Sequence, residues 1–347
     1  MTEVQSKSCI IRSEQDLIIE NRILNHEEDK VLVQVEAGGI CGSDIHYYQH
    51  GRAGASVIQE PMIIGHEFVG IVKSAPVGSA LKVGQKVAIN PSQPCYQCER
   101  CRNGQLNHCQ SMRFMGSAQH FPHTQGGFTQ YVSVNTNQCF PYDASIASEI
   151  MAFSEPLSVA IHAVNKAGSL IGKKVLVIGS GTIGGLVIAA AKAAGAQVVL
   201  GCDVSERSCK VAIDMGADHS FSPLDHEEVT KYQQDNGYFD VTFEATGVPS
   251  AIQTTVDFTK PNGKCIQLGM GNSSIEYPIS QFLVKEIEWT GSFRFNTEFA
   301  VAVNWLETKR VDPTPLISGV FSLDDAESAI IAAADKAKST KVILKIQ

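Results

Sequence analysis

The chain has 347 residues, of which 44% are hydrophobic and 18% charged, and its formal net charge is -8. A chain of this length exceeds one ordinary hydrophobic core, so we expect two domains. The acidic balance argues against nucleic acid or an anionic membrane as a partner, because both require clustered lysine and arginine. A small-molecule substrate is the remaining expectation. The first residues lack the apolar segment of a secretory signal, which favours a cytoplasmic protein.

The first part of the chain is predicted to be rich in β-strands. Residues 31–37 (VLVQVEA) alternate apolar and polar side chains as a half-buried strand does. Residues 62–73 and 81–90 combine β-branched residues with turns that begin at glycine.

Three short segments of this part contain residue types that bind metal ions. They are GICGSDIHY with Cys41, GHEFVG with His66 and SEPLSVAIH with Glu155. Taken alone, each such residue is more often a packed or capping side chain than a ligand. Together the three would provide three protein ligands and leave a fourth position for water or substrate, as catalytic zinc requires.

Residues 95–109 contain four cysteines at short spacing: Cys95, Cys98, Cys101 and Cys109. Gaps of two residues let neighbouring thiolates converge on one ion, and the fourth cysteine closes a tetrahedral shell, which predicts a structural zinc site. Two disulfides are the alternative, but this spacing gives strained and competing pairings.

From about residue 155 the pattern changes to short apolar runs that alternate with helical patterns. The runs are KVLVIG, AQVVLGCD, FDVTFEAT and GKCIQLG, with helices expected up to residue 194 and over 205–216. This order predicts an α/β domain with a doubly wound parallel sheet.

The first run leads into a glycine-rich turn that opens a helix. The turn contains Gly179, Gly181, Thr182, Ile183 and Gly184. In a Gly-x-Gly-x-x-Gly turn the glycines allow a tight bend, the approach of a pyrophosphate and close packing of the helix on the strand. We therefore expect a dinucleotide site here.

Asp203 ends the next predicted strand, and Arg207 follows four residues later. A carboxylate at this place accepts hydrogen bonds from the adenosine ribose and repels a 2′-phosphate, which favours NAD, whereas Arg207 keeps NADP as an alternative. Asp203 as a cap for the following helical turn is the other interpretation. After residue 293 a helix, the run VFSL, a helix over 324–335 and the strand KVILKI contain no second nucleotide motif, so this tail is expected to return to the first domain.

In this order, the segments CGSDIH, GHE, the cysteine loop, EPLSVAIHA and GSGTIG resemble the zinc-dependent medium-chain alcohol and polyol dehydrogenases over essentially the whole chain. Glu155, where alcohol dehydrogenases have a cysteine, is similar to the sorbitol dehydrogenase branch. The resemblance implies a GroES-like catalytic domain over 1–154, completed by 294–347, and a Rossmann NAD-binding domain over 155–293. It also implies a homodimer or homotetramer, and residues 287–293 are a candidate strand for pairing across a two-fold axis.

The resemblance implies two zinc ions per subunit. Cys41 and His66 would be ligands of the catalytic ion, with Glu155 bound directly or through water and Glu67 either behind the ion or approaching it. Asp44 would accept the second ring N–H of His66, unless it only caps a turn. The second ion would be bound by the four cysteines.

The implied reaction is hydride transfer between a secondary hydroxyl of a sugar acid and NAD(P), with sorbitol, xylitol or another polyol as the alternative substrate. By resemblance Ser43 contacts the reacting oxygen, and His46 or Tyr47 passes the proton outward. The acid end of the substrate calls for a cation. We expect Arg113, or the nearby His120 and His123, to neutralise this acid end and Arg294 to orient the sugar chain, although a surface role for Arg113 is equally open. The alternative from another functional class is a protein that binds a nucleotide but has no dehydrogenase activity.

Overall fold

The computed structural model describes residues 2–271 and 274–347. The chain divides into two compact units. The first unit comprises Met1–Glu155, Phe299–Lys309 and Ile317–Gln347, and the second comprises Pro156–Glu298 and Arg310–Leu316. None of the helices in the described ranges combines the length and apolar character needed to cross a membrane.

The chain up to residue 155 is built mainly from short strands. These strands are β1 (Thr2–Ser13), β2 (Asp16–His26), β3 (Val31–Gly39), β4 (Arg52–Ala53), β5 (Ser56–Val57), β6 (Met62–Ile63), β7 (Glu67–Ser74), β8 (Lys86–Ile89), β9 (Ser92–Gln93), β10 (Arg113–Phe114), β11 (Tyr131–Val134) and β12 (Cys139–Pro141). The helices are α1 (Gly42–His50), α2 (Glu99–Arg102), α3 (Ser148–Met151) and α4 (Ser154–Ala167), which continues into the second unit.

The second unit alternates strands and helices. The strands are β13 (Lys174–Ile178), β14 (Val198–Cys202), β15 (His219–Phe221), β16 (Phe239–Glu244), β17 (Thr259–Gln267) and β18 (Glu288–Gly291). The helices are α5 (Thr182–Ala193), α6 (Glu206–Asp214), α7 (His226–Gln233), α8 (Pro249–Phe258) and α9 (Ile279–Val284).

The chain then returns to the first unit through α10 (Phe299–Glu307), β19 (Ile317–Ser322), α11 (Ala326–Ala334) and β20 (Lys341–Lys345). Single turns of 3-10 helix connect several elements: Leu106–His108, Thr136–Gln138, Gln234–Asn236, Thr314–Leu316 and Leu323–Asp325.

The main sheet of the first unit has the strand order β12-β8-β7-β3-β20-β19, and β11 also pairs with β3. Val31, Val33 and Val35 of β3 are buried while the residues between them are partly exposed, which confirms the alternation expected for this strand. Strand β20 pairs antiparallel with β3, so the tail expected to return to the first domain completes its sheet.

The second unit contains a parallel sheet with the order β15-β14-β13-β16-β17-β18. This is the doubly wound order, in which the chain reverses direction across the sheet between β13 and β16. Strand β13 is buried along almost its full length, as expected for a strand covered on both faces. The predicted α/β fold class with a Rossmann sheet is confirmed.

A buried carboxylate anchors helix α4 within the second unit. Glu298 is 7% exposed and accepts hydrogen bonds from the Asn296 amide at 2.7 Å and the Asn165 side chain at 3.1 Å, and it pairs with His162 at 2.9 Å. Burial raises the pKa of Glu298, but the hydrogen bonds from these partners, that of His162 first, have the larger opposite effect and lower the pKa to about 2.

A carboxyl whose pKa is lower in the folded than in the unfolded state stabilises the fold above the unfolded pKa, and this stabilisation is lost as the pH falls towards the folded pKa. We therefore expect Glu298→Gln to lower the free energy of unfolding at pH 7 by on the order of 3 kcal/mol. The deficit should shrink between about pH 5 and pH 2. Urea titrations over this pH range test the expectation.

Glu288→Gln is the matched control, because the Glu288 side chain is 57% exposed and pairs with Lys264 at the surface. This control should change stability by less than about 1 kcal/mol. Parallel stability curves for wild type and Glu298→Gln between pH 6 and pH 3 would contradict the assignment.

Candidate metal and nucleotide sites

Strand register brings Cys41, His66 and Glu67 together in the first unit. Gly39 lies opposite Glu67 in the antiparallel pair of β3 and β7, so Cys41 leaves one strand where His66 enters the other. The sulfur, nitrogen and oxygen atoms that these three residues offer all lie within 4.8 Å of one another. A thiolate, an imidazole and a carboxylate are the ligand types of a catalytic zinc site, so the donor set fits this ion.

His66 and Glu67 are buried and Cys41 is half-buried. Burial lowers the pKa of His66, but the neighbouring Cys41, Asp44 and Glu155 raise it to about 10. Glu155 is itself buried, at 6% exposure in the first turn of α4, but it is not among the three residues whose ligand atoms converge. The structure thus brings Glu67 into the group and leaves Glu155 beside it.

Behind Glu67 lies a buried lysine that the sequence analysis missed. Lys341 is 3% exposed, its ammonium group forms an ion pair with Glu67, and it donates a hydrogen bond to the Ile40 carbonyl oxygen at 3.0 Å. Burial lowers the pKa of Lys341, but Glu67, Cys41 and Glu155 together outweigh this effect and the pKa is raised. A lysine at the start of the apolar run KVILKI was the one signal available, and the sequence did not indicate its partner.

Asp44, in the first turn of α1, lies next to this group. The Asp44 carboxylate accepts hydrogen bonds from the backbone amides of Cys41 at 2.9 Å and Gly65 at 3.1 Å, and within the described residues none comes from the His66 ring. The capping alternative for Asp44 is therefore the one that the structure supports.

Tyr47 is 2% exposed, packs in the core of the first unit, and its hydroxyl oxygen accepts a hydrogen bond from the Ala118 amide at 3.0 Å. A proton relay through Tyr47 stays a prediction. On the same helix α1, Ser43 is half-buried and His46 is exposed, with burial, His50 and Lys336 lowering the pKa of His46.

The four cysteines of residues 95–109 form a second group whose sulfur atoms lie within 4.8 Å of one another. All ten cysteines are free thiols, and the sulfurs of Cys95 and Cys101 are 4.0 Å apart, about twice a disulfide bond length. Backbone amides point at this group: that of Cys95 donates to Cys109 at 3.2 Å, and that of Cys98 donates to Cys95 at 3.4 Å. Backbone hydrogen bonds also lower the pKa of Cys98 to about 6. Thiolates held by amides fit a closed zinc site.

The glycine-rich turn of the second unit has the space that a pyrophosphate needs. Among the residues that the structure describes, a Cβ atom added to Gly181 would have no neighbour within 4 Å, whereas one added to Gly184 would lie 1.7 Å from the Gly179 carbonyl oxygen. Gly179 has φ +89, a conformation that favours glycine. Gly181 is the N-cap of α5, so Thr182 and Ile183 form the first turn of that helix next to the open space. The turn therefore fits a dinucleotide phosphate.

Asp203 follows β14 and connects the glycine-rich turn to helix α6. Its carboxylate accepts hydrogen bonds from the backbone amides of Ser180 at 2.8 Å and Ser205 at 2.9 Å. Ser205 is the N-cap residue of α6, and Arg207 lies in the first turn of this helix. Asp203 thus fixes a turn and still presents carboxylate oxygens at the carboxyl edge of the sheet.

The basic residues considered for the substrate have specific local contacts. Arg113 donates to the Pro122 carbonyl oxygen at 2.5 Å, and His123 uses its ring nitrogens for the His120 carbonyl and the Gln59 amide. Arg294 belongs to the second unit, has φ +53 and stacks on Phe293 with its guanidinium carbon 5.1 Å from the ring centre. Left-handed backbone at an arginine is uncommon and is held here by the surrounding structure.

Comparisons with known proteins show the family of this chain. Residues 27–144 match the alcohol dehydrogenase GroES-like domain, and residues 182–308 match the zinc-binding dehydrogenase model. An L-idonate 5-dehydrogenase (NAD(P)(+)) from Escherichia coli (strain K12) is 43% identical over 342 residues, which is 99% of either chain. This chain belongs to the zinc-binding dehydrogenase family.

Two further comparisons place the chain within this dehydrogenase family. The crystal structure of the L-idonate 5-dehydrogenase from Escherichia coli superimposes with a TM-score of 0.97 at 42% identity and covers 99% of both chains. D-xylulose reductase A from Aspergillus oryzae is 34% identical over 337 residues, covering 94% of this chain and 92% of that protein. The predicted family and the GroES-like part of the predicted fold are confirmed.

The buried ion pair at Glu67 leads to a stability prediction. Lys341→Met leaves the Glu67 carboxylate buried without its cation, so we expect the free energy of unfolding to fall by about 3–5 kcal/mol. Lys345→Met, on the same strand β20, removes a cation that is 55% exposed and should cost less than about 1 kcal/mol. Urea denaturation of both variants gives the comparison.

A double variant separates the ion pair from packing. If Glu67 and Lys341 interact as described, Glu67→Gln combined with Lys341→Met should be less destabilised than the sum of the two single variants. Strictly additive losses would show that the pair contributes no coupling.

The cysteine group leads to a prediction about metal content. Cys98→Ser should lose one zinc equivalent per chain and unfold at a lower temperature, because a structural zinc site contributes directly to folding. Elemental analysis and thermal unfolding measure both effects. Cys209→Ser is the matched control, since Cys209 is half-buried and belongs to neither metal-binding group. Unchanged zinc content in Cys98→Ser would refute the assignment.

Proposed function

We propose that this protein oxidises L-idonate to 5-keto-D-gluconate with NAD(P) as hydride acceptor. The observation that carries the proposal is the convergence of Cys41, His66 and Glu67, whose ligand atoms lie within 4.8 Å of one another in a chain that also has a dinucleotide turn. The 43% identity to an L-idonate 5-dehydrogenase over 99% of the chain supports the choice of substrate.

Cys41 and His66 are the proposed protein ligands of the catalytic zinc ion, with Glu67 and Glu155 as carboxylates that bind it directly or through water. When bound, zinc supplies a Lewis acid that lowers the pKa of the substrate hydroxyl. Ser43 contacts the reacting oxygen and relays the hydroxyl proton by giving up its own hydroxyl proton as it receives that of the substrate, and the exposed His46 on the same helix passes a proton to solvent. Lys341 keeps Glu67 in place through the buried ion pair. Cys95, Cys98, Cys101 and Cys109 hold the second, structural ion.

Gly179, Gly181, Thr182, Ile183 and Gly184 hold the pyrophosphate of the cofactor in this proposal, and the open space at Gly181 supports it. Asp203 accepts hydrogen bonds from the adenosine ribose, which favours NAD. Arg207, in the first turn of α6, is the residue through which NADP would be accepted as the second cofactor.

The proposed domain roles follow the predicted limits. Residues 1–154 with 294–347 form the catalytic domain, and residues 155–293 form the NAD-binding domain. The proposed assembly is a homodimer or homotetramer. Strand β18 supports it, because this strand pairs only with β17 among the described residues and leaves an edge for a second copy. Ten free thiols support a reducing compartment, the cytoplasm.

Arg294 is proposed to hold the substrate chain and Arg113 its carboxylate, because a guanidinium matches a carboxylate with two parallel hydrogen bonds. Arg113 already donates to a carbonyl oxygen, which orients it without neutralising its charge. A second candidate function is polyol oxidation on sorbitol or xylitol, favoured by the 34% identity to D-xylulose reductase A.

Steady-state assays of L-idonate, L-gulonate, sorbitol and xylitol with NAD and with NADP test the proposal. We expect kcat/KM for L-idonate to exceed that for each polyol by at least about tenfold, because only the acid uses the Arg113 contact. Arg113→Ala should lower kcat/KM for L-idonate by roughly tenfold or more and change polyol oxidation less, whereas Arg294→Ala should lower kcat/KM for both substrate classes.

Arg12→Ala is the control, since Arg12 is exposed and pairs with Asp16. A polyol oxidised faster than L-idonate would establish the second candidate instead. Full activity after complete removal of zinc would exclude a zinc-dependent dehydrogenase of either specificity.

A further inference from the structure

Strand β16 ends in a buried carboxylate that the proposed reaction does not use. Glu244 is 1% exposed. Its carboxylate accepts hydrogen bonds from the amides of Thr246 at 2.8 Å and Gly247 at 2.9 Å, from the Thr246 hydroxyl, and from the Gln267 side chain at 2.6 Å. The carboxylate accepts every one of these bonds and donates none, which is the pattern of the ionised form.

These hydrogen bonds join the loops that follow β16 and β17. Gln267 donates both to Glu244 and to the Gly269 carbonyl oxygen at 2.8 Å, and the Gly269 amide donates to the Glu244 carbonyl oxygen at 2.9 Å. The two loops touch backbone to backbone. A Cβ atom on Gly269 would lie 2.0 Å from the Gly247 nitrogen, and one on Gly271 would lie 2.3 Å from the Gly247 oxygen.

The same loops adjoin the glycine-rich turn. Glu244 lies opposite Ile178 in the parallel pair of β13 and β16, and Ile178 directly precedes Gly179. A Cβ atom on Gly179 would lie 2.5 Å from the Thr246 methyl group. The loop after β16 therefore restricts the backbone conformation of the glycine-rich turn.

The strand order assigns Glu244 to one half of the dinucleotide site. Dinucleotides bind across the carboxyl edge at the point where the strand order reverses, here between β13 and β16. Asp203, at the end of β14, belongs to the adenosine half. Glu244 and the two loops lie on the other side of the reversal, in the half that receives the nicotinamide nucleotide.

The donors around Glu244 are neutral amide and hydroxyl groups, so these contacts satisfy its oxygens without cancelling its charge. Charges interact strongly inside a protein because the effective dielectric constant is low. The oxidised nicotinamide ring carries a positive charge, and the reduced ring is neutral. A buried carboxylate in this half therefore distinguishes the two redox forms of the cofactor.

We propose that Glu244 is a positioning residue that fixes the nicotinamide half of the site and, through its buried negative charge, favours binding of the oxidised over the reduced cofactor. This inference rests on the proposed NAD(P)-dependent function. A purely structural role would alter the binding of both redox forms alike, so the ratio of their affinities is the informative quantity.

The test is the dissociation constant of each cofactor form in Glu244→Gln, measured by NADH fluorescence and by competition with NAD+. The amide NH2 of glutamine would face the N–H donors of Gly247 or Gln267, so both dissociation constants should rise. Loss of the charge should raise the value for NAD+ more, increasing the NAD+ to NADH ratio by at least about fivefold. A ratio within about twofold of wild type would overturn the proposal.

Asp240→Asn is the matched control on the same strand. Asp240 lies at the opposite end of β16, where it accepts a hydrogen bond from the Lys174 amide at 2.8 Å, and its replacement should leave the ratio unchanged. Glu244→Asp keeps the charge and shortens the side chain, so both constants should rise with the ratio preserved. A shifted ratio in this variant would also refute the charge argument, even if Glu244→Gln did not fold. Wild type that binds neither cofactor form would instead disprove the proposed function.

Discussion

The register of three neighbouring strands is the constraint on which the metal-binding group depends. Gly39 of β3 faces Glu67 of β7 on one side and Ile343 of β20 on the other. Residues just beyond this point on each strand therefore meet, which brings Cys41, His66 and Lys341 to the same end of the sheet. A Cβ atom on Gly39 would lie 2.4 Å from a Glu67 oxygen, so the register also requires a residue without a side chain.

Buried carboxylates in this protein are stabilised in two different ways. Glu67 is paired with a buried ammonium group, whereas Asp44 and Glu244 accept hydrogen bonds mainly from backbone amides. An ion pair cancels the charge, while amides satisfy the oxygens and leave a net field. The negative charge of Glu244 is therefore retained in the loops after β16, whereas Lys341 compensates the negative charge of Glu67 at the metal-binding group. Both arrangements are costly to disturb, because a buried polar group that loses its partner has no water to replace it.

Local patterns predicted much of the fold and of the two candidate sites. The alternation in residues 31–37, the buried run before Gly179 and the cysteine spacing each depend on neighbours in sequence, and the structure places each as expected. Residues 81–90 contain the predicted turn at a glycine, since Gly84 has φ +85 and β8 (Lys86–Ile89) follows it. Composition alone does not show at which residue the strand begins.

The residues that sequence reasoning missed depend on contacts between distant parts of the chain. Lys341 pairs with Glu67, although the whole second unit lies between them in the sequence. No local pattern links the two residues. The burial of Tyr47 could not be predicted, because the short helix α1 carries polar and aromatic residues all round and the sequence does not show which face is buried. The sequence left two interpretations of Asp44 open, and the structure supports the cap, since two backbone amides donate to its carboxylate.

The place of β20 also constrains the order in which the chain acquires its structure during synthesis. This strand is translated after every residue of the second unit, yet it completes the sheet that holds Cys41 and supplies the ammonium group for Glu67. Domains generally fold as units while the ribosome extends the chain. The second unit can therefore fold first. Until β20 emerges from the ribosome, strand β3 has an unpaired edge and the Glu67 carboxylate lacks its ammonium partner.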